Sequence, residues 1–82
     1  MSLVELTEFL VKSLVENKEN VSVKEFETDE ENTILIQVLV DESDMGRVIG
    51  KGGKLANAIR TLVQASSYIK DNKKVRINID SF

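Results

Sequence analysis

All four glycines of the chain, Gly46, Gly50, Gly52 and Gly53, fall within eight residues, with Lys51 and Lys54 set among them. Glycine is costly inside helices, so this cluster marks a backbone that must turn tightly or approach something closely. The stretch Val48-Ile49-Gly50-Lys51-Gly52-Gly53-Lys54 joins two helical patterns through a Gly-x-x-Gly step. Where the second helix starts, its first amides lack intrahelical partners, side-chain bulk is missing and the helix dipole is positive. A phosphate can therefore sit against main chain, with Lys51 and Lys54 adding charge. Two better-known phosphate loops do not fit the same glycines. A Walker loop needs four residues between its glycines and a hydroxyl where Gly52 stands, and a dinucleotide fingerprint needs a glycine where Leu55 stands. A calcium loop starting at Asp41 would put Ser43, Met45 and Gly52 where oxygen ligands are wanted, so no metal is expected.

Other chemistry is excluded by composition. With no Cys and no His, the chain cannot build a disulfide, a thiolate or imidazole metal site, a cysteine nucleophile or the usual near-neutral base. No nucleophile, base and orienting group can be assembled, so an enzyme is not expected, nor a cofactor or small-molecule substrate. The longest apolar run is three residues, and Glu5 and Glu8 occupy the N-terminus where an export signal would need basic residues. Neither membrane association nor export is expected, and a cytoplasmic location follows by default. Net charge is −3, yet residues 1–44 carry three Lys against twelve acids while residues 45–82 carry eight basic residues against two acids. An anionic ligand would meet the C-terminal half.

The elements that must position the loop follow from periodicity. Leu3, Leu6, Leu10 and Leu14 recur at helical spacing, and Val4, Phe9, Val11 and Val15 widen the apolar sector to roughly 240° of the wheel. That is more than one sheet face requires, and it predicts self-association through this helix. Val21, Val23 and Phe26 suggest a strand, and Asp29-Glu30-Glu31-Asn32 a hairpin turn. Ile34, Ile36, Val38 and Val40 alternate with Thr33, Leu35, Gln37 and Leu39 as the clearest strand. Asp41-Glu42-Ser43-Asp44 opens a short helix that the glycines end. In the next helix Leu55, Ile59, Leu62, Val63 and Ile69 share a sector with Ala58 and Ala65, while Lys54, Asn57, Arg60 and Gln64 face away. After a turn at Asp71-Asn72-Lys73-Lys74, Val75, Ile77 and Ile79 alternate as a last strand.

The order is helix, strand, strand, helix, helix, strand. A short turn makes the first two strands antiparallel, and a two-helix crossover permits parallel pairing of the second and third. The expected architecture is α+β, one domain over residues 1–82, with a mixed three-stranded sheet covered by three helices on one face.

Ile49-Gly50-Lys51-Gly52-Gly53 between two helices, inside a strand-helix-helix-strand frame, resembles the KH RNA-binding domain, whose Gly-x-x-Gly loop clamps four nucleotides. With helix, strand and strand ahead of the motif, the order is similar to the type II, prokaryotic arrangement. The size and the run Val48 to Arg60 are similar to the small single-domain bacterial KhpA-type proteins. This resemblance implies that Gly50, Lys51, Gly52 and Gly53 form a backbone clamp on single-stranded RNA, shaped by Ile49 and flanked by Arg47, Lys54 and Asn57. It further implies a cytoplasmic RNA chaperone or post-transcriptional regulator that works with a second KH protein of KhpB type and affects cell shape and cell-wall homeostasis, while the broad apolar sector of the first helix is what predicts a homodimer.

Two other function classes are consistent with parts of the pattern. A helix-turn-helix DNA reader also joins two helices by a glycine turn, although the sheet context and the lack of base-reading polar residues on the second helix oppose it. A degenerate module used only for protein assembly would suit the broad apolar sector of the first helix. Lys73 and Lys74 read as turn residues, and Val48, Ile49 and Leu55 as core that can double as groove wall. Tyr68, the only tyrosine, lies too far along its helix to stack a base at the loop.

Overall fold

The computed structural model describes residues Met1–Phe82. Helix α1 spans Leu3–Lys12, and its start is fixed by local chemistry. Ser2 Oγ accepts from the Glu5 amide (3.0 Å) while the Glu5 carboxylate accepts from the Ser2 amide (2.9 Å), a reciprocal capping box. Hydrogen bonding to the carboxylate by the Ser2 amide, and next by the Ser2 side chain, holds the Glu5 carboxyl below its ordinary pKa. The helix ends earlier than its leucine spacing predicts, so Leu14 and Val15 lie beyond it, Val15 still buried.

Strand β1 (Ser22–Glu27) pairs antiparallel with β2 (Thr33–Val40), and Asn32 takes a positive φ of 53° in the connecting turn. Asn is among the few residues that accept this conformation readily. Helices α2 (Met45–Ile49) and α3 (Lys54–Lys70) then cross to β3 (Lys74–Ser81), which pairs parallel with β2 in the sheet order β1-β2-β3. Ile36 faces Glu25 on one side and Ile77 on the other. Both edges of β2 are therefore satisfied, and its β-branched residues suit a central strand. The order and pairing agree with the expected mixed sheet.

Val23, Ile34, Ile36, Val38, Val40 and Ile77 form the inner sheet face and pack with Leu3 and Val11 of α1, Val48 of α2, and Ile59 and Val63 of α3. Each such side chain contributes roughly 1.5–3 kcal/mol by leaving water. Thr7 shares the buried face of α1 because its hydroxyl donates to the Leu3 carbonyl at 2.7 Å. No helix is long and apolar enough to cross a membrane.

Both amphipathic helices depart from their expected packing. The apolar surplus of α1 is absorbed by its own chain, since Val4, Leu6, Leu10 and Leu14 pack against the core and Phe9 alone among these stays mostly exposed, at 60%. In α3 the buried stripe is Ala56, Ile59, Val63 and Ser67, whereas Leu62 and Ile69 are 53% and 86% exposed and Leu55 also reaches solvent. Two apolar stripes lie about a third of a turn apart on this helix. The sheet and α1 take the stripe whose small ends, Ala56 and Ser67, permit close approach. The larger residues are left outside.

Candidate functional site

The loop between α2 and α3 is built by three glycines with positive φ. Gly50 ends α2 at φ 74°, ψ 173°, and Gly52 and Gly53 follow at φ 64° and 79°. Gly50 has a second constraint, since a Cβ there would lie 2.8 Å from Leu55 Cγ. Leu55 thus folds back over the loop's entry, and only hydrogen fits between. Gly53 is the N-cap of α3, so no capping side chain covers the amides of the first turn. A Cβ on Gly52 would meet nothing within 4 Å. That position faces open solvent.

The structure brings most of the expected site residues to one end of the molecule. Lys51 and Lys54 are exposed on the loop and at the first residue of α3, and neither takes part in an ion pair of the chain. Ile49 is half-buried at the end of α2. Asn57 is exposed one turn into α3, and its side-chain carbonyl accepts from Arg60 Nη1 at 3.3 Å.

Arg47 behaves differently from Lys51 and Lys54. Its Nη1 donates to the Ser43 carbonyl (2.9 Å) and to Asp44 Oδ1 (3.0 Å), and its Nη2 donates to Glu16 Oε1 (2.8 Å). Its charge is committed within the chain rather than offered at the loop. Asp44, with no exposure at all, also accepts from the backbone amides of Glu16 (3.1 Å) and Asn17 (3.0 Å) and from Asn17 Nδ2 (3.0 Å). Burial pushes its carboxyl up, but those bonds and the Arg47 guanidinium together outweigh it and hold the pKa below the ordinary aspartate value. This cluster anchors α2 to the segment after α1. Sequence reasoning placed Asp44 in a helix-start cluster and missed the anchor, because its partners stand 27 and 28 residues away.

A second feature also escaped the sequence. Beside the loop, α3 lies along the outer edge of β3. Gln64 bridges to that edge twice, donating to the Lys73 carbonyl and accepting from the Val75 amide, each at 2.9 Å. Arg60 Nε donates to the Ile77 carbonyl at 3.3 Å. The two side chains occupy backbone groups that an unpaired strand edge would otherwise leave bare. Helical wheel position alone gave Arg60 and Gln64 only an outward direction.

A glycine loop with an uncapped helix start, carried between two helices on a mixed α-β-β-α-α-β sheet, defines a KH domain of the type II order. Solved structures support the fold: a crystal structure of Aquifex aeolicus Era bound to GDP.AlF4- superposes with a TM-score of 0.72 at 20% identity, over 98% of this chain and 30% of that one. Era in complex with MgGDPNP and nucleotides 1506–1542 of 16S ribosomal RNA gives 0.69 at 20% identity, over 96% of this chain and 29% of that one. Residues 4–79 match the KhpA/KhpB KH domain, and the chain belongs to that family, which is not one of enzymes. It is 48% identical over 75 residues to the RNA-binding protein KhpA of Clostridium perfringens, covering 92% of this chain and 96% of that one. The RNA-binding protein KhpA of Borreliella burgdorferi is 43% identical over 76 residues, covering 93% and 89%.

Proposed function

We propose that the chain binds single-stranded RNA, with the Gly50–Gly53 backbone and Lys51 clamping the sugar-phosphate chain at the start of α3. The observation that carries this reading is the loop itself: glycine geometry, an N-terminus with no capping side chain, and two lysines with no partner in the chain. Phosphate fits that arrangement by charge and by close main-chain approach. The RNA-binding names of the relatives support the same ligand. Ile49, Lys54 and Asn57 flank the clamp, and Arg47 contributes by holding α2 in place.

In this reading the protein is a cytoplasmic RNA chaperone or post-transcriptional regulator, acting with a KhpB-type partner in cell-shape and cell-wall homeostasis. Self-association also belongs to it, now through α3 rather than α1. Leu55, Ala58, Leu62, Ala65 and Ile69 alternate at spacings of three and four, the pattern of a helix-pairing seam, and the seam is exposed. Two linked clamps would raise effective affinity for one RNA. Sedimentation equilibrium, alone and with a KhpB-type protein, tests this part, and a strictly monomeric mass in both would remove it.

The clamp is tested by replacing Lys51 and Gly52 together with Asp. Open space around Gly52 and the tolerance of Asp for positive φ leave the fold intact, while two carboxylates repel phosphate. Single-stranded RNA binding should disappear with circular dichroism unchanged. Retained affinity, or tighter binding to duplex DNA than to single-stranded RNA, would overturn the reading.

A further inference from the structure

The two edges of the sheet are finished differently. Along the outer edge of β3, Gln64 and Arg60 occupy the Lys73 and Ile77 carbonyls and the Val75 amide. The opposite edge belongs to β1, whose one strand neighbour is β2, and no backbone hydrogen bond outside that ladder involves Ser22–Glu27. A strand directs its amides and carbonyls alternately to its two sides, so β1 presents a bare row of them to solvent.

The side chains along this row carry charge in a fixed pattern. Val23 enters the core, which places Glu25 and Glu27 on the helix side of the sheet and Lys24 and Phe26 on the other. All four are exposed, Phe26 at 47%, so the helices cover only the Val23 end of the strand. Lys24, Glu25 and Glu27 take part in no ion pair of the chain.

A second copy does not suit this edge. Antiparallel pairing of β1 with itself about a two-fold axis keeps every residue on its own face, and the two registers that pair five of the six residues set either Lys24 or Glu25 directly against its own counterpart. Like charges so placed are destabilising. The same charges specify what does fit. Residues 1–44 hold twelve acids against three lysines, and the incoming strand must complement Glu25 and Glu27 on one face and Phe26 on the other.

We propose that the β1 edge is a docking site for an extended segment of another polypeptide, added antiparallel as a fourth strand, with basic residues opposite Glu25 and Glu27 and an apolar residue opposite Phe26. Main-chain hydrogen bonds supply the affinity of such an addition, and the alternate side chains supply its selectivity. The site is separate from the glycine loop, which α2 and α3 carry.

The probe is a labelled, end-blocked peptide, Thr-Arg-Val-Arg-Glu-Val-Thr, whose antiparallel register sets its arginines opposite Glu27 and Glu25 and its glutamate opposite Lys24. A charge-reversed copy, Thr-Glu-Val-Glu-Lys-Val-Thr, is the control. The basic peptide should bind at least about tenfold more tightly than the control, and amide exchange in β1 should slow when it is bound. Glu25→Lys together with Glu27→Lys should invert the preference; both positions are exposed, and circular dichroism checks that the fold is kept. No binding of the basic peptide at millimolar concentration, equal binding of the two peptides, or an unchanged preference in the double variant would overturn the site. Binding without slower exchange in β1 would reduce it to charge attraction and overturn strand addition. Protection of β1 that grows with protein concentration in the absence of peptide would give the edge to a second copy instead.

Discussion

Asp44 and Lys51 stand on either side of one five-residue helix and carry opposite charges into opposite environments. Asp44 is wholly buried and its oxygens are occupied by Glu16, Asn17 and Arg47; Lys51 is exposed and has no ionic partner. The basic half of the chain is thus not uniformly available to an anion. Arg47 serves to fix α2, and fixing α2 allows a loop of three positive-φ glycines to hold one shape. A clamp that must order itself for each ligand would lose affinity to that ordering, so the buried anchor serves the exposed loop.

The comparison is broken most severely at Asp44. Asp44→Ala leaves the Glu16 and Asn17 amides and the Arg47 guanidinium without their acceptor, and we expect the largest fall in thermal midpoint of any single change named here, measured by circular dichroism. RNA affinity should fall with it even at temperatures where the variant is folded, because α2 is no longer tied. A variant with an unchanged midpoint would show that the anchor is dispensable.

Gly50→Ala should act next most strongly, from the loop side. A positive φ on a residue with a Cβ costs about 1–3 kcal/mol, and here Leu55 must also move. For a chain of this size that is a fall in midpoint on the order of 4–8 °C per kcal/mol. Gly52→Ala should cost less on both counts, because Gly52 lies in the left-handed helical region (φ 64°, ψ 17°) with open space around it, whereas Gly50 at ψ 173° holds a conformation essentially restricted to glycine and also meets Leu55.

Acid sharpens the same contrast. The Asp44 carboxyl is depressed when folded, as is that of Asp41, whose carboxylate accepts from the hydroxyl and amide of Ser43. A depressed folded pKa contributes stability that is present above the unfolded value and lost as pH falls through the folded one. The midpoint should therefore hold above about pH 5 and decline below about pH 4. Asp44→Asn should start lower and decline less steeply. An identical acid limb in that variant would place the titration elsewhere.

The smallest effects should fall on single cations. Lys51→Ala should reduce the dependence of log affinity on log salt by about 0.7, one phosphate's worth on a single strand, while Arg47→Ala should leave that slope unchanged and lower stability instead. Titrations at several salt concentrations separate them. Equal slope changes would mean that Arg47 reaches the RNA despite its pairing.

Much of this architecture was legible in the residues. The alternation of Ile34, Ile36, Val38 and Val40 identifies the central strand, Leu3, Leu6 and Leu10 at helical spacing identify α1, and four glycines in eight residues locate the loop, because each signal is carried by neighbours in the chain. The KH resemblance rests on those same local signals. What local spacing could not decide was choice among equivalents. Spacing grouped Leu55, Ile59, Leu62, Val63 and Ile69 in one apolar sector of α3, yet of these the fold buries only Ile59 and Val63, together with the smaller Ala56 and Ser67, because the distance of approach between helix and sheet sets the volume that fits. Of eight basic residues after Met45, only tertiary contact distinguishes Arg47, paired with an acid 31 residues earlier, from Lys51, which is paired with none. The pairing of Gln64 with the β3 edge exists only once helix and strand lie side by side. Backbone conformation is governed by a few adjacent residues and can be read along the chain; partner choice is governed by whatever the folded chain brings within a few ångströms, and it is not written locally.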